Sequence, residues 1–311
     1  MRHFMTRLDG RWVLITGAGH GLGRAMAAAF ADVGSRIIVT DQDPDGVEST
    51  TRWLSRRGNP AVGIEMDVTC SESISRARQE VMSQIGRIDV LVNNAGTVRG
   101  GLFTNVPLEE HLTTLDVNTQ GPIRVTHAFL PDLLASPVAH LVNIISAAAL
   151  IGLPGASTYA ASKWALLGFS ESLREELRQN GNQHAGITAV CPSYISTGLF
   201  SGVRPPRLTR MLTPAAVARR VVRAVLTRRT HLMLPRTVGL IPLSRSLLPT
   251  RWSQRLGDWT GIHASMADWR GHDAASPGLA ESHSDLAAPF DDKDQAAAQA
   301  DVGETATAIG S

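Results

Sequence analysis

Lysine, tyrosine and cysteine are nearly missing from this 311-residue chain, which has two of each. The cysteines, Cys70 and Cys191, lie too far apart in sequence for a metal-binding spacing and are too few for a disulfide framework. That pattern argues against zinc modules and disulfide-rich secreted scaffolds and fits a reducing compartment, so a cytoplasmic protein without a metal is expected. Long apolar runs are missing too. No stretch of about 18 uncharged apolar residues occurs, so no membrane-crossing helix is expected. Residues 1–9 bring in charge before any apolar run of signal-peptide length can form, so no signal peptide is expected either.

Acidic residues are absent from one long stretch. Residues 177–257 contain none, yet hold 13 arginines. Residues 271–311 carry eight acidic residues against one basic, so the formal net charge of +2 divides into +9 and −7. The basic stretch fits a solvated face, a surface for anionic lipid, a phosphate-bearing substrate, an acidic partner, or a dock for the chain's own tail. No nucleic-acid partner is expected. Hydrophobic content of 43% and charged content of 19% are ordinary for a globular protein with a large core.

What is there is an alternation. Apolar runs at residues 12–16, 36–40, 61–66, 88–92, 140–145, 187–190 and 231–234 predict strands. Helical spacing fills 22–33, 45–57, 73–85, one long stretch at 108–134, 158–179 and 214–227. Strands alternating with helices predict an α/β fold, a Rossmann-type doubly wound parallel sheet in a single domain over residues 8–235. An extension at 236–270 and a disordered acidic tail at 271–311 follow. In the extension, an apolar stretch at 237–248 is interrupted by Pro242 and Arg245 and followed by Trp252, Trp259 and Trp269. It is too short to span a bilayer. It is expected to cap a cleft or pack on a second subunit, with peripheral membrane contact through this basic apolar segment as the alternative.

Three features carry chemistry. The turn Thr16-Gly17-Ala18-Gly19-His20-Gly21-Leu22-Gly23 lies between the first strand and the first helix. Gly17 permits a sharp turn, while Gly21 and Gly23 let backbone amides and the helix N-terminus approach a pyrophosphate. Asp41 ends the second strand, 18 residues after Gly23, where a carboxylate takes ribose hydroxyls and repels a 2′-phosphate. Gln42 follows where a basic residue would have favoured that phosphate, so NAD is favoured over NADP. Finally, one of the two lysines sits four residues after one of the two tyrosines, in Tyr159-Ala160-Ala161-Ser162-Lys163. Positions i and i+4 share a helix face. A phenol and a compact ammonium there form an acid–base unit in which the cation lowers the phenol's pKa.

With these motifs in order, the chain resembles the classical short-chain dehydrogenases/reductases over roughly residues 8–235. The glycine turn, Asp67-Val68, Asn93-Asn94-Ala95-Gly96, Asn118, Ser146 and the Tyr159/Lys163 pair stand at that family's positions, with thirteen residues from Ser146 to Tyr159. The resemblance implies a catalytic tetrad of Asn118, Ser146, Tyr159 and Lys163. It implies a dinucleotide held by Gly17, Gly19, His20, Gly21, Leu22, Gly23, Asp41, Asp67, Val68, Asn94, Ala95, Gly96, Tyr159 and Lys163, with Ile195 and Thr197 at the carboxamide. In this scheme Tyr159 exchanges the substrate proton, Lys163 holds the ribose, Ser146 orients the substrate oxygen and Asn118 holds a relay water. Ser193 departs from the family's Pro-Gly and is expected to shift that loop slightly. The resemblance also implies a homodimer or homotetramer pairing the long helices. The expected function is NAD-dependent interconversion of an apolar secondary alcohol and ketone, or primary alcohol and aldehyde. A ketoreductase for CoA- or carrier-bound acyl chains, suggested by Arg204, Arg207 and Arg210, and a redox-inactive dinucleotide-sensing or membrane-peripheral protein are the alternatives.

Overall fold

In a computed structural model of the chain, residues 6–207 and 210–271 are described below. The expected tail, from residue 272 onward, lies outside them. The apolar runs form seven strands: β1 (Trp12–Thr16), β2 (Arg36–Asp41), β3 (Ala61–Glu65), β4 (Val90–Asn93), β5 (His140–Ile144), β6 (Gly186–Pro192) and β7 (His231–Leu234). All pair in parallel, in the order β3-β2-β1-β4-β5-β6-β7. β4 and β5 are buried at every position, as strands covered on both faces of a parallel sheet are.

The crossovers are α1 (Gly21–Ala31), α2 (Pro44–Arg56), α3 (Ser71–Gln84), α4 (Leu108–Leu115), α5 (Gly121–Leu134), α6 (Ser157–Gln179) and α7 (Pro214–Leu226). α1 packs on α7, and α3 on α5. The second pair closes over a core containing Leu14, Ile38, Leu91, Phe129 and Leu141. Starts are chemically marked. Asp43 caps α2 by accepting from the Asp45 amide, and Thr213 caps α7 by accepting from the Ala216 amide, each just before a helix-opening proline. Sheet order reverses between β1 and β4, so their carboxyl ends open a crevice at the switch point.

Two expectations need correction. The helix expected at 108–134 is interrupted by a π-helical turn, Asp116–Gln120, in which the Gly121 amide reaches the Asp116 carbonyl. The added residue turns Asn118 inward to complete burial. β6 runs on to Pro192, which still pairs with Leu234 because a proline can occupy a position that needs no donor. Beyond β7, a 3-10 turn (Arg236–Leu240) leads into α8 (Ile241–Leu247) and α9 (Thr250–Thr260).

Candidate active site

The glycine turn is built against the end of β4. Gly17 has φ +64°, and a Cβ there would stand 2.9 Å from the Ala95 Cα. A Cβ on Gly23 would fall 2.0 Å from the Gly17 carbonyl oxygen. The Asn94 side chain donates to the Thr16 and Gly17 carbonyls at 2.8 and 3.1 Å, and the Thr16 hydroxyl accepts from the amides of Asn94 and Ala95, both at 3.0 Å. Asn94 therefore braces the turn, a job that the dinucleotide-contact expectation did not include.

Asp41 leaves β2 with its Oδ2 accepting from the Gly19 amide at 3.0 Å and its Oδ1 from the Asp43 amide at 3.1 Å. His20 and Asp43 meet at 2.6 Å, which holds the Asp43 carboxyl below its ordinary range. Asp67 Oδ1 accepts from both the amide and the hydroxyl of Thr69. These groups open on one cleft of about 780 Å³. Its walls include every expected dinucleotide residue except Gly19. Gln42 lines it too, beside Asp41, and Thr97, Arg99 and Thr113 line it from positions that no motif marked. The cradle that a Cβ would fill, the aimed carboxylate and the cleft's size fit a nicotinamide dinucleotide.

At the inner end stand Ser146, Tyr159 and Lys163. Ser146 caps the turn Ala147–Ala149 through its Oγ, which accepts from the Ala148 amide at 3.1 Å. Lys163 Nζ donates to the Ile144 carbonyl at 3.1 Å and lies 5.7 Å from the centre of the Tyr159 ring. Burial pushes the Tyr159 phenol up to about 12, against a hydrogen bond with Ser146 that lowers it. Burial brings the Lys163 ammonium down to about 8. Desolvation, rather than the expected cationic depression, thus sets the tyrosine's pKa. The Cys191 thiol is held up at about 12 by burial.

Asn118 stands apart from the cleft wall. Its Oδ1 accepts from the Thr97 amide at 2.8 Å, and its Nδ2 donates to the Thr97 carbonyl at 2.8 Å and to Ser162 Oγ at 3.1 Å. The side chain ties the β4 exit to α6. Ser193 keeps an ordinary backbone, outside the left-handed region, and its amide donates to the Leu234 carbonyl at 2.7 Å. The side chain in place of glycine imposes no φ strain there.

A second cavity, about 70 Å³, continues past the tyrosine. It shares Ser146, Tyr159, Ser193 and Phe200 with the cleft and is otherwise walled mainly by Leu153, Tyr194, Pro206, Val238, Ile241 and Ile262. Phe200 stands edge-on to both Tyr159 and Tyr194. Residues 260–271 strap the loop that carries it. Arg207 and Arg270 amides bond to Thr260 and Ser201, Trp269 Nε1 to the Leu199 carbonyl, and Tyr194 Oη to Ser265 Oγ. Sequence reasoning missed Phe200, Ser265 and Tyr194; the rarity of tyrosine was the one available signal for the last. Among the described residues, no group of three His, Cys, Asp or Glu could hold a metal, and no helix is long and apolar enough to cross a membrane.

A parallel sheet with this order, a glycine cradle and a Ser–Tyr–Lys constellation define a dinucleotide-dependent oxidoreductase. The short chain dehydrogenase family matches residues 11–207. Epidermal retinol dehydrogenase 2 of Homo sapiens is 35% identical over 260 residues, covering 83% of this chain and 84% of that protein. Among solved structures, a short chain dehydrogenase/reductase from Burkholderia phymatum in complex with NAD shares 26% identity at a TM-score of 0.71, over 78% of this chain and 95% of that one. A metagenomic short-chain oxidoreductase in complex with NADP shares 28% at 0.62, over 73% and 98%. The chain belongs to the short-chain dehydrogenase/reductase family. It is an oxidoreductase acting on CH–OH groups with a nicotinamide dinucleotide.

Proposed function

We propose that the protein interconverts an apolar secondary alcohol and its ketone, or a primary alcohol and its aldehyde, with NAD. The observation that carries this reading is the place of Tyr159, on the shared wall between the dinucleotide cleft and an apolar cavity. Bound in the cleft, the nicotinamide supplies hydride exchange. The chain's own residues handle the proton. In the reducing direction the neutral Tyr159 phenol donates to the carbonyl oxygen; in the oxidising direction the phenolate takes the hydroxyl proton, with the Ser146 hydrogen bond opposing the cost of burying that charge. Ser146 orients the substrate oxygen. Lys163 holds the ribose, and Asn118 fixes the backbone between cleft and α6. Asp41 favours NAD by accepting from ribose hydroxyls. The relative's name, a retinol dehydrogenase, agrees with an apolar substrate.

Self-association through α6 belongs to this reading. The exposed face of α6 carries small residues at Ala161, Ala165, Gly168 and Ser172, a smooth strip on which a second copy's helix can lie close, as a homodimer or as half of a homotetramer. The proposed compartment is cytoplasmic.

The deciding experiment is NAD- and NADP-coupled turnover across secondary alcohols, steroids, retinoids and acyl thioesters, with Tyr159→Phe alongside. The variant should lose on the order of 10³-fold in kcat while still binding NADH; unchanged turnover overturns the assignment. A thioester ketoreductase is the second reading, favoured by the exposed Arg207 and Arg210 at the rim. Arg204 is already paired with Asp268 at 2.9 Å. Arg207→Ala and Arg210→Ala leaving KM for a thioester unaltered would remove it.

A further inference from the structure

α8 is built inside out. A helix on a soluble protein turns its stripe of apolar residues at i, i+3 and i+7 toward the core. Here Ile241 and Ser244 face the protein, and the stripe Leu240, Leu243 and Leu247 faces outward at 61%, 57% and 72% exposure. The neighbouring α9 repeats the arrangement with Trp252, Arg255 and Trp259, both tryptophans 59% exposed and the guanidinium 5.5 Å from the centre of the Trp252 ring. Arg236, Arg251 and Arg255 are exposed on the same segment. Arg245 folds back to donate to the Leu150 carbonyl at 2.7 Å and lies over Trp164. No acidic residue occurs between 177 and 257, and Asp258 in α9 is paired with His263 at 2.7 Å.

We propose that α8 and α9 form an interfacial element that docks on an anionic lipid bilayer, leucines and tryptophans in the headgroup–acyl boundary and arginines on the lipid phosphates. Leucines alone would suit any apolar partner. Tryptophans beside arginines, with Asp258 the one acidic residue of α8 and α9 and already paired with His263, suit a surface that is anionic at headgroup level and apolar beneath. A second copy in the same place would bring the arginines face to face, and like charges oppose that. Residues 271–311 have the complementary charge, but Phe290 is their one aromatic residue, so they offer little to cover the leucines and tryptophans.

The placement has a use that rests on the proposed apolar substrate. Val238 and Ile241 wall the apolar cavity, and the outward Leu240 is the next residue before Ile241. Docking sets the cavity's outer wall against lipid, where an apolar alcohol is concentrated.

The test is co-sedimentation of the full chain with phosphatidylcholine vesicles, with and without phosphatidylserine, at low and high salt. Binding should be on the order of tenfold stronger with phosphatidylserine and should fall as salt rises. Leu243→Asp with Leu247→Asp, and separately Arg251→Gln with Arg255→Gln, should each cut binding about tenfold. Turnover of a water-soluble secondary alcohol should stay unchanged in both, which reports folding and tests the redox reading separately. The milder arginine pair covers the case in which the leucine pair fails to fold. The proposal is overturned if the full chain does not pellet, if binding ignores phosphatidylserine, or if the arginine variant pellets like the parent. It is equally overturned if the leucine variant loses self-association in sedimentation velocity while still binding vesicles, because the patch then belongs to a second copy.

Discussion

Tyr194 Oη and Ser265 Oγ stand 2.6 Å apart, joining the loop after β6 to the C-terminal strap. Burial raises the Tyr194 phenol pKa and the bond to Ser265 opposes it. Ser265 Oγ also donates to the Ile262 carbonyl at 2.6 Å, so its oxygen accepts the hydrogen bond that the tyrosine hydroxyl donates. Ser265→Ala would leave a buried hydroxyl without its partner, at a cost of about 1–3 kcal/mol. A fall in melting temperature of about 2–4 °C per kcal/mol is expected. KM for an apolar alcohol should rise several-fold while kcat holds within about twofold, because the cavity loosens without touching the proton path. Tyr194→Phe, which removes the donor and keeps the ring, should be the milder change. Thermal melts and steady-state kinetics on both variants check this, and the reverse order would refute it.

Under the proposed preference for NAD, Asp41 would govern the choice between dinucleotides through charge. Asp41→Asn removes the negative charge and one acceptor while leaving an oxygen for the Gly19 amide. The ratio of kcat/KM for NADP to that for NAD should rise by on the order of tenfold to a hundredfold. Steady-state comparison with both dinucleotides measures it. An unmoved ratio would place the discrimination elsewhere on the wall.

His140 makes the fold acid-sensitive. It is fully buried on β5 with Nε2 2.8 Å from the Thr188 hydroxyl, which itself donates to the Arg229 carbonyl. That assigns the ring proton to Nε2 and leaves Nδ1 without a partner among the described residues. Burial, aided by Arg228, holds its pKa down at about 3 against the usual 6.5. The folded-state value is depressed, so the unfolded chain takes up a proton that the folded chain refuses. The contribution of His140 to stability is fully present above about pH 6.5 and is lost as pH falls from there toward about 3. Melting temperature against pH should slope less steeply for His140→Gln than for the parent across that window; parallel slopes would remove His140 from the account.

The glycine turn, Asp41 and the Tyr159/Lys163 spacing made the fold and most of the cleft legible, because each is a local requirement that only a few residue types meet. The π-helical turn was not legible. Apolar spacing runs through Asp116–Gln120 without a break, and only the inward, hydrogen-bonded Asn118 shows that a residue has been added. The apolar cavity was hidden for a different reason. Its walls come from positions as far apart as Ala148 and Ile262, and no spacing rule links them. For α8, composition correctly marks an apolar, basic segment, but which side its leucines face depends on how Ile241 and Arg245 anchor it. The Tyr159 pKa followed burial, a property of the packed site, where the sequence offered only the neighbouring charge.

Among the described residues, the wall shared by the two cavities consists of Ser146, Tyr159, Ser193 and Phe200. Under the proposed function, so narrow a junction would impose regiochemistry: the reacting carbon would sit at the threshold, with the rest of its skeleton reaching away from the cofactor. Isomers that carry the hydroxyl near one end of a slender apolar frame should then turn over, and those with it at mid-frame, flanked by bulk in both directions, should not.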